Sequence, residues 1–290
     1  AELSARYFAS QPDSVAAVTG TNGKSSVAEF VRQLWTLAGV QAASLGTLGL
    51  VTPTTTHSSK LTTPDPANLH MRLHQLAQEN INHLTLEASS HGLAQHRLDG
   101  VRVSVAAFTN LSRDHLEYHG TLENYLAAKS RLFSDILSRD GTAILNSDAT
   151  CFEFLRRILI TRKIDFLSYG WQGEDIRIDD LRTEAAGQQL DLTVLGTKRS
   201  IRLPLIGSFQ AMNVLCALGI VLATGGDRED TIGHLEKLLA VRGRLELVAN
   251  LPNGAAVYVD YAHTPDALEN LLIALRPHTD RKLLVMFGCG

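Results

Sequence analysis

Residues Ala16-Ala17-Val18-Thr19-Gly20-Thr21-Asn22-Gly23-Lys24-Ser25-Ser26-Val27 decide how the rest of the chain is read. A short apolar run, Val15 to Val18, suits a buried strand and breaks at Gly20-Thr21-Asn22-Gly23. Beyond the break Val27, Phe30, Val31, Leu34 and Ala38 recur at steps of three and four, which predicts an amphipathic helix that Gly39 stops. Strand, glycine loop and helix N-terminus in that order aim free backbone N–H groups and the positive end of the helix dipole at one spot, a cradle for phosphate. Lys24 adds a mobile cation, and the Ser25 hydroxyl can hold the magnesium that travels with a nucleotide. The pattern is a shortened P-loop, since the full eight-residue form has glycine where Val18 stands. An ordinary glycine turn with Lys24 on the surface is the plainer alternative; the order of strand, glycines, Lys-Ser and helix argues against it.

Composition limits the partners. The 290 residues suffice for two domains, or one large domain with part of another. With 44% hydrophobic and 20% charged residues the chain reads as soluble and globular, and 27 Lys plus Arg against 30 Asp plus Glu leave a net charge of −3. No basic face for nucleic acid is implied, and a small anionic molecule held locally is the expected partner. Cys151, Cys216 and Cys289 are too few and too far apart for a disulfide framework or a zinc site, and read as packing residues in a reducing compartment. The opening Ala1-Glu2-Leu3-Ser4-Ala5-Arg6 lacks the order of a signal peptide, and the apolar stretch Val214 to Ala223 is too short to cross a bilayer. No membrane insertion and a cytoplasmic location follow as expectations.

Further along, Val40 to Leu45 reads as a second strand, and the Thr-rich stretch Thr47 to Thr63 as loop. Asp65 caps and Pro66 opens a helix running to about Asn80 through Leu69, Leu73 and Leu76. Leu84 to Glu87 and Val103 to Phe108 are strands ending in polar residues. A helix capped by Thr121 covers about Leu122 to Leu137, and Asp140-Gly141 turns the chain into a strand from Thr142 to Asn146. A helix over about Cys151 to Ile160 and a strand from Ile164 to Tyr169 follow. Strands alternating with helices predict a parallel sheet whose site lies along the carboxyl edge, so Glu87 and the loop after Phe108 are expected near the phosphate cradle.

Between Asp175 and Leu205 the apolar residues alternate with polar ones, which predicts a small antiparallel sheet appended to the parallel one. Helices are expected over about Phe209 to Ala223 and Glu229 to Ala240. Past Gly243 come a strand, Val257 to Asp260, a helix, Pro265 to Leu275, and a strand, Leu283 to Phe287, ending on the glycine-rich Gly288-Cys289-Gly290. The fold class is therefore α/β: a mostly parallel, P-loop-type ATPase domain over residues 1–243 with a small antiparallel sheet, followed over residues 244–290 by the start of a Rossmann-like α/β domain cut after its second strand.

Three polar groupings lie beyond the cradle: Glu87-Ala88-Ser89-Ser90-His91-Gly92, Asn110-Leu111-Ser112-Arg113-Asp114-His115, and Lys129 within a helix. Metal-assisted phosphoryl transfer needs oxygen and imidazole ligands that leave positions open for phosphate, and Ser25, Glu87 and His115 are of those types. Each taken alone could equally be a surface or capping residue.

Together these segments resemble the Mur ligases, ATP-dependent amide-forming enzymes of peptidoglycan synthesis, over nearly the whole chain. Thr19 to Ser25 is similar to the family's nucleotide loop. Leu86 to Leu93 with Gln95-His96-Arg97, Asn110 to Gly120, and Val259 to Asp266 look like the tripeptide-synthetase (MurE-type) branch. The resemblance implies that Gly20, Thr21, Asn22, Gly23, Lys24, Ser25 and Ser26 cradle the ATP phosphates, with Asn213, Arg244 and Asp260 also on the nucleotide. It implies magnesium at Ser25, Glu87 and His115, and a carbamate on Lys129 helping to hold a second metal ion. Lys24, Lys129 and His115 are thus the candidate catalytic residues, and Thr62, Thr63, Ser89, Gln95 and Arg97 the candidate contacts to a UDP-muramoyl dipeptide.

Leu61 stands where the branch often has a polar residue, and Ser25 replaces its commoner threonine. The implied reaction activates the dipeptide carboxylate as an acyl phosphate, which the amine of a diamino acid, meso-diaminopimelate or lysine, then attacks. No uridine-binding domain precedes Ala1 in this sequence and most of the amino-acid-selecting domain is missing, so this stretch is expected to bind nucleotide without ligating. Folylpolyglutamate synthase, with a related loop, is a second possibility, and a nucleotide-binding module without turnover a third.

Overall fold

The apolar run of the opening motif forms β1 (Ser14–Thr19), in which Ala16 and Val18 face one core while Val15 and Ala17 face another. The strand is buried on both sides, which is why it has no polar face to alternate with. The computed structural model describes residues 1–263 and 265–288. Thr264, the side chain of Asp266, and Cys289 with Gly290 lie outside the described residues.

The remaining strands are β2 (Ala42–Gly46), β3 (Gly49–Val51), β4 (Thr56–His57), β5 (His83–Glu87), β6 (Val103–Phe108), β7 (Leu137–Asn146), β8 (Asp165–Gly170), β9 (Ile176–Glu184), β10 (Gly187–Val194), β11 (Thr197–Leu203), β12 (Glu246–Asn250) and β13 (Ala256–Val259). The helices are α1 (Glu2–Phe8), α2 (Lys24–Leu37), α3 (Pro66–Gln78), α4 (Ser90–Ala94), α5 (Leu116–His119), α6 (Leu122–Arg131), α7 (Phe152–Arg162), α8 (Ser208–Ala223), α9 (Arg228–Leu235) and α10 (Pro265–Leu275). Strands β1 to β11 form one sheet in the order β11-β10-β9-β8-β7-β6-β1-β5-β2-β3-β4. From β8 through β2 all neighbours are parallel. The chain leaves β1 toward β2 on one side and returns to β6 on the other, so the order reverses at β1 and opens a crevice at its carboxyl end. The pairs Val18↔Glu87 and Thr19↔Phe108 bring the ends of β5 and β6 level with the glycine loop.

Helices cover both faces. Phe30, Leu34 and Trp35 of α2 pack with Val214, Leu218 and Ile220 of α8 on one face. Leu69, Leu73 and Leu76 of α3 lie in the core of the other, with Phe133 and Leu155. Asp65 caps α3 by accepting from the N–H groups of Ala67 and Asn68, with Pro66 in the first turn, as the sequence predicts. At the other end of α2 the chain turns at Gly39, and the Val40 N–H closes on the Trp35 carbonyl at 2.9 Å. No described helix is long and apolar enough to cross a membrane, and Cys151 and Cys216 are buried free thiols.

The structure corrects several sequence readings. The Thr-rich stretch contains β3 and β4, antiparallel strands too short for their alternation to register in sequence. Asp140-Gly141 is no turn between elements: it lies within β7, where the pairing with β6 shifts register between Val103 and Val105. Helix α9 ends at Leu235, short of Ala240. Past Gly243, β12 pairs antiparallel with β13, a pairing the sequence reading missed. Leu283 to Phe287 forms no strand: it has no partner strand among the described residues, and a two-stranded hairpin offers a poor template for parallel pairing. Helix α1 was also unforeseen; its seven residues bury none of their own side chains, so they carry no core period. The antiparallel ribbon β9–β11 is present and continues the main sheet through the parallel pairs Tyr169↔Ile176 and Gly170↔Arg177.

Gln188 of β10 is fully buried, and its Nε2 donates to the carbonyls of Leu205 and Gly207, each at 2.9 Å. These bonds fix the segment that launches α8. Gln188→Leu would leave the Leu205 carbonyl without that donor, and is expected to lower stability by about 1–3 kcal/mol in urea unfolding.

Candidate functional site

Gly23 caps α2 in the left-handed conformation (φ 89°) without a side-chain cap bond, so the first-turn N–H groups stay available. A Cβ there would overlap Asn213 Oδ1 of α8, and one on Gly20 would overlap Thr109 Oγ1. Close approach therefore demands glycine at both positions. The loop is stitched to the segment after β6. The Thr21 N–H donates to the Asn110 carbonyl at 2.8 Å, the Asn22 N–H to Asn110 Oδ1 at 2.9 Å, and the Ser112 N–H to Thr21 Oγ1 at 3.0 Å. The loop after Phe108 thus lies against the cradle, as the sheet topology predicts.

A cavity of about 560 Å³ opens over this loop. Thr21, Asn22, Gly23, Lys24, Ser25 and Ser26 form its floor. Glu87, Ser89 and Thr62 form one wall, with Asn110, His115 and Lys129 also on its surface. Asn213, Arg244 and Asp260 line it from the α8 and carboxyl-terminal side. Gly20 takes part through its carbonyl, which accepts from Lys24 Nζ at 3.0 Å and from Lys129 Nζ at 2.7 Å. Lys24 Nζ also donates to the Thr21 carbonyl at 2.7 Å.

Both lysines are held below their ordinary pKa. For Lys24 the cause is burial, opposed by the charges of Glu87 and Asp114. For Lys129, 1% exposed and 4.2 Å from the centroid of the Tyr125 ring, burial acts first and the neighbouring Lys24 charge second, and the shift is large. Burial pushes the Tyr125 phenol up to about 12.

Glu87 is 2% exposed; its Oε1 accepts from the Thr47 N–H at 2.7 Å, and Gly46 leaves room because a Cβ there would overlap the carboxylate. Ser25 Oγ accepts from Arg244 Nη2 at 3.2 Å, and the Arg244 guanidinium lies 4.6 Å from the Tyr261 ring centroid. Asp260 accepts from the N–H groups of Leu245 and Ala262, both at 2.8 Å. His115 is left-handed (φ 53°), and its ring stands 4.8 Å from that of His91, whose pKa burial lowers, with the His115 charge second. His263 Nδ1 lies 2.9 Å from the Tyr261 carbonyl, a local bond.

Thr63, Gln95 and Arg97 stand behind the wall rather than on it. The Thr63 hydroxyl, 1% exposed, donates to the Glu87 carbonyl at 2.7 Å and lies 3.0 Å from Ser89 Oγ. Arg97 Nη1 donates to the Thr63 carbonyl at 2.7 Å, and Arg97 Nε donates to Gln95 Oε1 at 3.1 Å. Leu61 is 43% exposed. Sequence reasoning missed Thr47, Asp114 and Tyr125, which also line the cavity. Asp114 sat inside a quoted motif beside His115, the available signal; Thr47 is one threonine of many and carried none.

The donor set suits magnesium. Among the described residues no three His, Cys, Asp or Glu side chains close around a point as a dedicated cage would. Magnesium instead takes one or two carboxylates with phosphate oxygens and water, and Glu87, Asp114 and the Ser25 hydroxyl border the cavity where such oxygens would lie.

Comparison with known proteins gives this arrangement a context. The family model described as the Mur ligase middle domain matches residues 18–221, and that described as Mur ligase, glutamate ligase domain matches residues 243–290. The chain is 49% identical over 290 residues to the UDP-N-acetylmuramoyl-L-alanyl-D-glutamate–2,6-diaminopimelate ligase of Zymomonas mobilis subsp. mobilis, an alignment covering 100% of this chain and 60% of that one. A solved structure of a ligase of the same name superposes with a TM-score of 0.85 at 34% identity, covering 100% of this chain and 60% of the other. Mycobacterium tuberculosis folylpolyglutamate synthase, solved with ADP and AMPPCP, gives a TM-score of 0.75 at 21% identity over 94% of this chain and 68% of its own, a likeness of fold alone. The chain spans about 60% of the length of the curated relatives it matches.

The buried lysine makes a prediction about pH. Lys129 titrates well below the ordinary 10.5 in the folded chain. Between those two values the unfolded chain binds the extra proton, so Lys129 makes stability rise with pH across that window. Lys129→Met is expected to remove this contribution and flatten the rise with pH below the ordinary lysine range, read as unfolding free energy from urea melts of the two proteins.

Proposed function

The chain belongs to the Mur ligase family, and from that premise we propose that it carries the nucleotide site of an ATP-dependent ligase that joins 2,6-diaminopimelate to UDP-MurNAc-L-Ala-D-Glu in peptidoglycan synthesis. The observation that supports this best is the meeting, in one cavity, of the glycine cradle and Lys24 with Glu87, His115 and the buried Lys129. Diaminopimelate rather than lysine is favoured by the name of the 49% identical relative. ATP and a nucleotide-linked precursor as substrates fit a cytoplasmic enzyme.

In this reading a carboxylate oxygen of the dipeptide attacks the γ-phosphorus of ATP, ADP departs with the bonding pair, and an acyl phosphate remains. The amine then attacks the acyl carbon, phosphate leaves, and the nitrogen gives up a proton. Lys24 would exchange its bonds to the Gly20 and Thr21 carbonyls for phosphate oxygens, and the N–H groups at the start of α2 would hold the same anion. Asn213, Arg244 and Asp260 would hold the nucleotide from the opposite side. Ser25, Glu87 and His115 would hold magnesium, with Lys129 as a carbamate at a second ion. Magnesium, when bound, neutralises charge on the phosphoryl group in transfer. Thr62 and Ser89 would meet the dipeptide directly, with Thr63, Gln95 and Arg97 setting their positions. A folate ligase is the weaker reading, because that likeness is one of fold, while the Ser90-His91-Gly92 and Gln95-His96-Arg97 segment resembles the Mur ligase branch.

The reading is tested by calorimetry with a non-hydrolysable ATP analogue and magnesium. Lys24→Ala is expected to weaken binding at least about tenfold, the scale of one lost charge-assisted bond, with a cooperative urea melt as the check that the variant folds. UDP-MurNAc-L-Ala-D-Glu is expected to bind and a folate is not. Unchanged analogue affinity in Lys24→Ala would remove the loop from the nucleotide site. For Lys129, carbon-13 NMR with labelled bicarbonate is expected to show a carbamate resonance that Lys129→Met lacks.

A further inference from the structure

Thr47 follows the last residue of β2 and belongs to none of the sequence motifs, yet it touches two residues of one cavity wall, Glu87 and Thr62. Its backbone N–H donates to Glu87 Oε1 at 2.7 Å, and its hydroxyl oxygen lies 3.3 Å from Glu87 Oε2 and 3.1 Å from Thr62 Oγ1. All three residues line the cavity. Both hydroxyl separations are longer than the usual O–H···O distance of about 2.7–2.8 Å. A hydroxyl has one proton to give, and the two contacts compete for it.

An ionised carboxylate only accepts, so the contact with Glu87 can be made in one sense alone: Thr47 donates. In that arrangement Thr47 cannot also donate to Thr62. The contact between the two hydroxyls is then made by Thr62 donating to Thr47, which commits the Thr62 proton and withholds it from a ligand. If a cation occupies the Glu87 oxygens, the carboxylate no longer competes for the Thr47 proton. Thr47 then donates to Thr62, and the Thr62 O–H is free to point at an anionic ligand.

We propose that Thr47 is a positioning residue, a hydroxyl relay by which a cation on Glu87 turns the Thr62 O–H toward the acceptor, so that metal and acceptor bind cooperatively. This rests on the reading that Glu87 holds magnesium and Thr62 meets the dipeptide. The coupling is reciprocal: whatever factor the cation adds to acceptor affinity, the acceptor adds to cation affinity. It differs from direct attraction between the two ligands, which would persist without either hydroxyl.

The test is calorimetric titration of UDP-MurNAc-L-Ala-D-Glu into protein holding AMPPCP, with magnesium and with EDTA. The ratio of the two dissociation constants is the coupling factor, expected to be at least about fivefold for the wild type. Thr47→Val should cut that factor about threefold or more, and Thr47→Ser, which keeps the hydroxyl, should restore it. Thr62→Val should cut it by the same amount, and the double variant no further, because both act in one relay. AMPPCP affinity in EDTA, the same in all variants, serves as the control for folding. An undiminished factor in Thr47→Val, or independent multiplying losses in the double variant, would overturn the relay while leaving the site assignment standing. A wild type that binds neither AMPPCP nor the acceptor would instead remove the assignment on which the relay rests.

Discussion

One backbone carbonyl, that of Gly20, accepts from the Nζ of both Lys24 and Lys129, and the rest of the site is arranged around that crowding. Burial lowers the proton affinity of both lysines, and the Lys24 charge lowers that of Lys129 further, so the crowding favours loss of the Lys129 proton. Glu87 and Asp114 favour the charged form of Lys24, and Asp114 also that of Lys129. A polyanion entering the cradle would meet the Lys24 charge and the N–H groups at the start of α2 together.

The sheet makes this crowding possible. A parallel strand covered on both faces ends in a loop held on each side by neighbouring strand ends, and the register of β5 and β6 against β1 sets which residues those are. Glu87 reaches the site as the last residue of β5 and Thr109 as the first after β6. Thr109 Oγ1 donates to the Asn22 carbonyl at 2.6 Å, so the neighbouring strand end itself shapes the loop. Helix α8 approaches from outside the sheet, and the missing side chain at Gly23 lets Asn213 come close. Gln188 fixes α8 from below by holding the carbonyls of Leu205 and Gly207, which ties the antiparallel ribbon to the site at one remove.

Much of this was legible in the sequence because the physics that builds it is local. The Asp65-Pro66 cap, the apolar period of α2 and the strand-loop-helix order each depend on a few consecutive residues, and each was found where it was read. The misreadings share the opposite property. Strands β3 and β4 have three and two residues, and exist because β2 offers an edge to pair with. Asp140-Gly141 looks like a turn in isolation but is absorbed into β7 by its pairing with β6. At the site, Lys24 and Glu87 stood out by motif. The relation between Thr47, Thr62 and Glu87 spans 40 residues of chain and exists only through folding.

The carboxyl-terminal residues show how a second part of the chain can be coupled to the cradle without a large interface. Arg244 donates to Ser25 Oγ, its carbonyl accepts from Gln210 Nε2 at 3.4 Å, and its guanidinium lies on the Tyr261 ring. Asp260 holds the N–H of Leu245. The hydroxyl proposed for magnesium is thus contacted by an arginine that a nucleotide would also attract. One Ser25 lone pair accepts from Arg244, and phosphate oxygens in the cradle would compete for the same guanidinium, an exchange that would draw Arg244 from the hydroxyl. Because Arg244 is stacked on Tyr261 and adjoins a backbone tied to Asp260, that exchange would pull on residues 244–263 as a unit. Through Arg244, occupancy of the cradle would thus be linked to the carboxyl-terminal part of the chain.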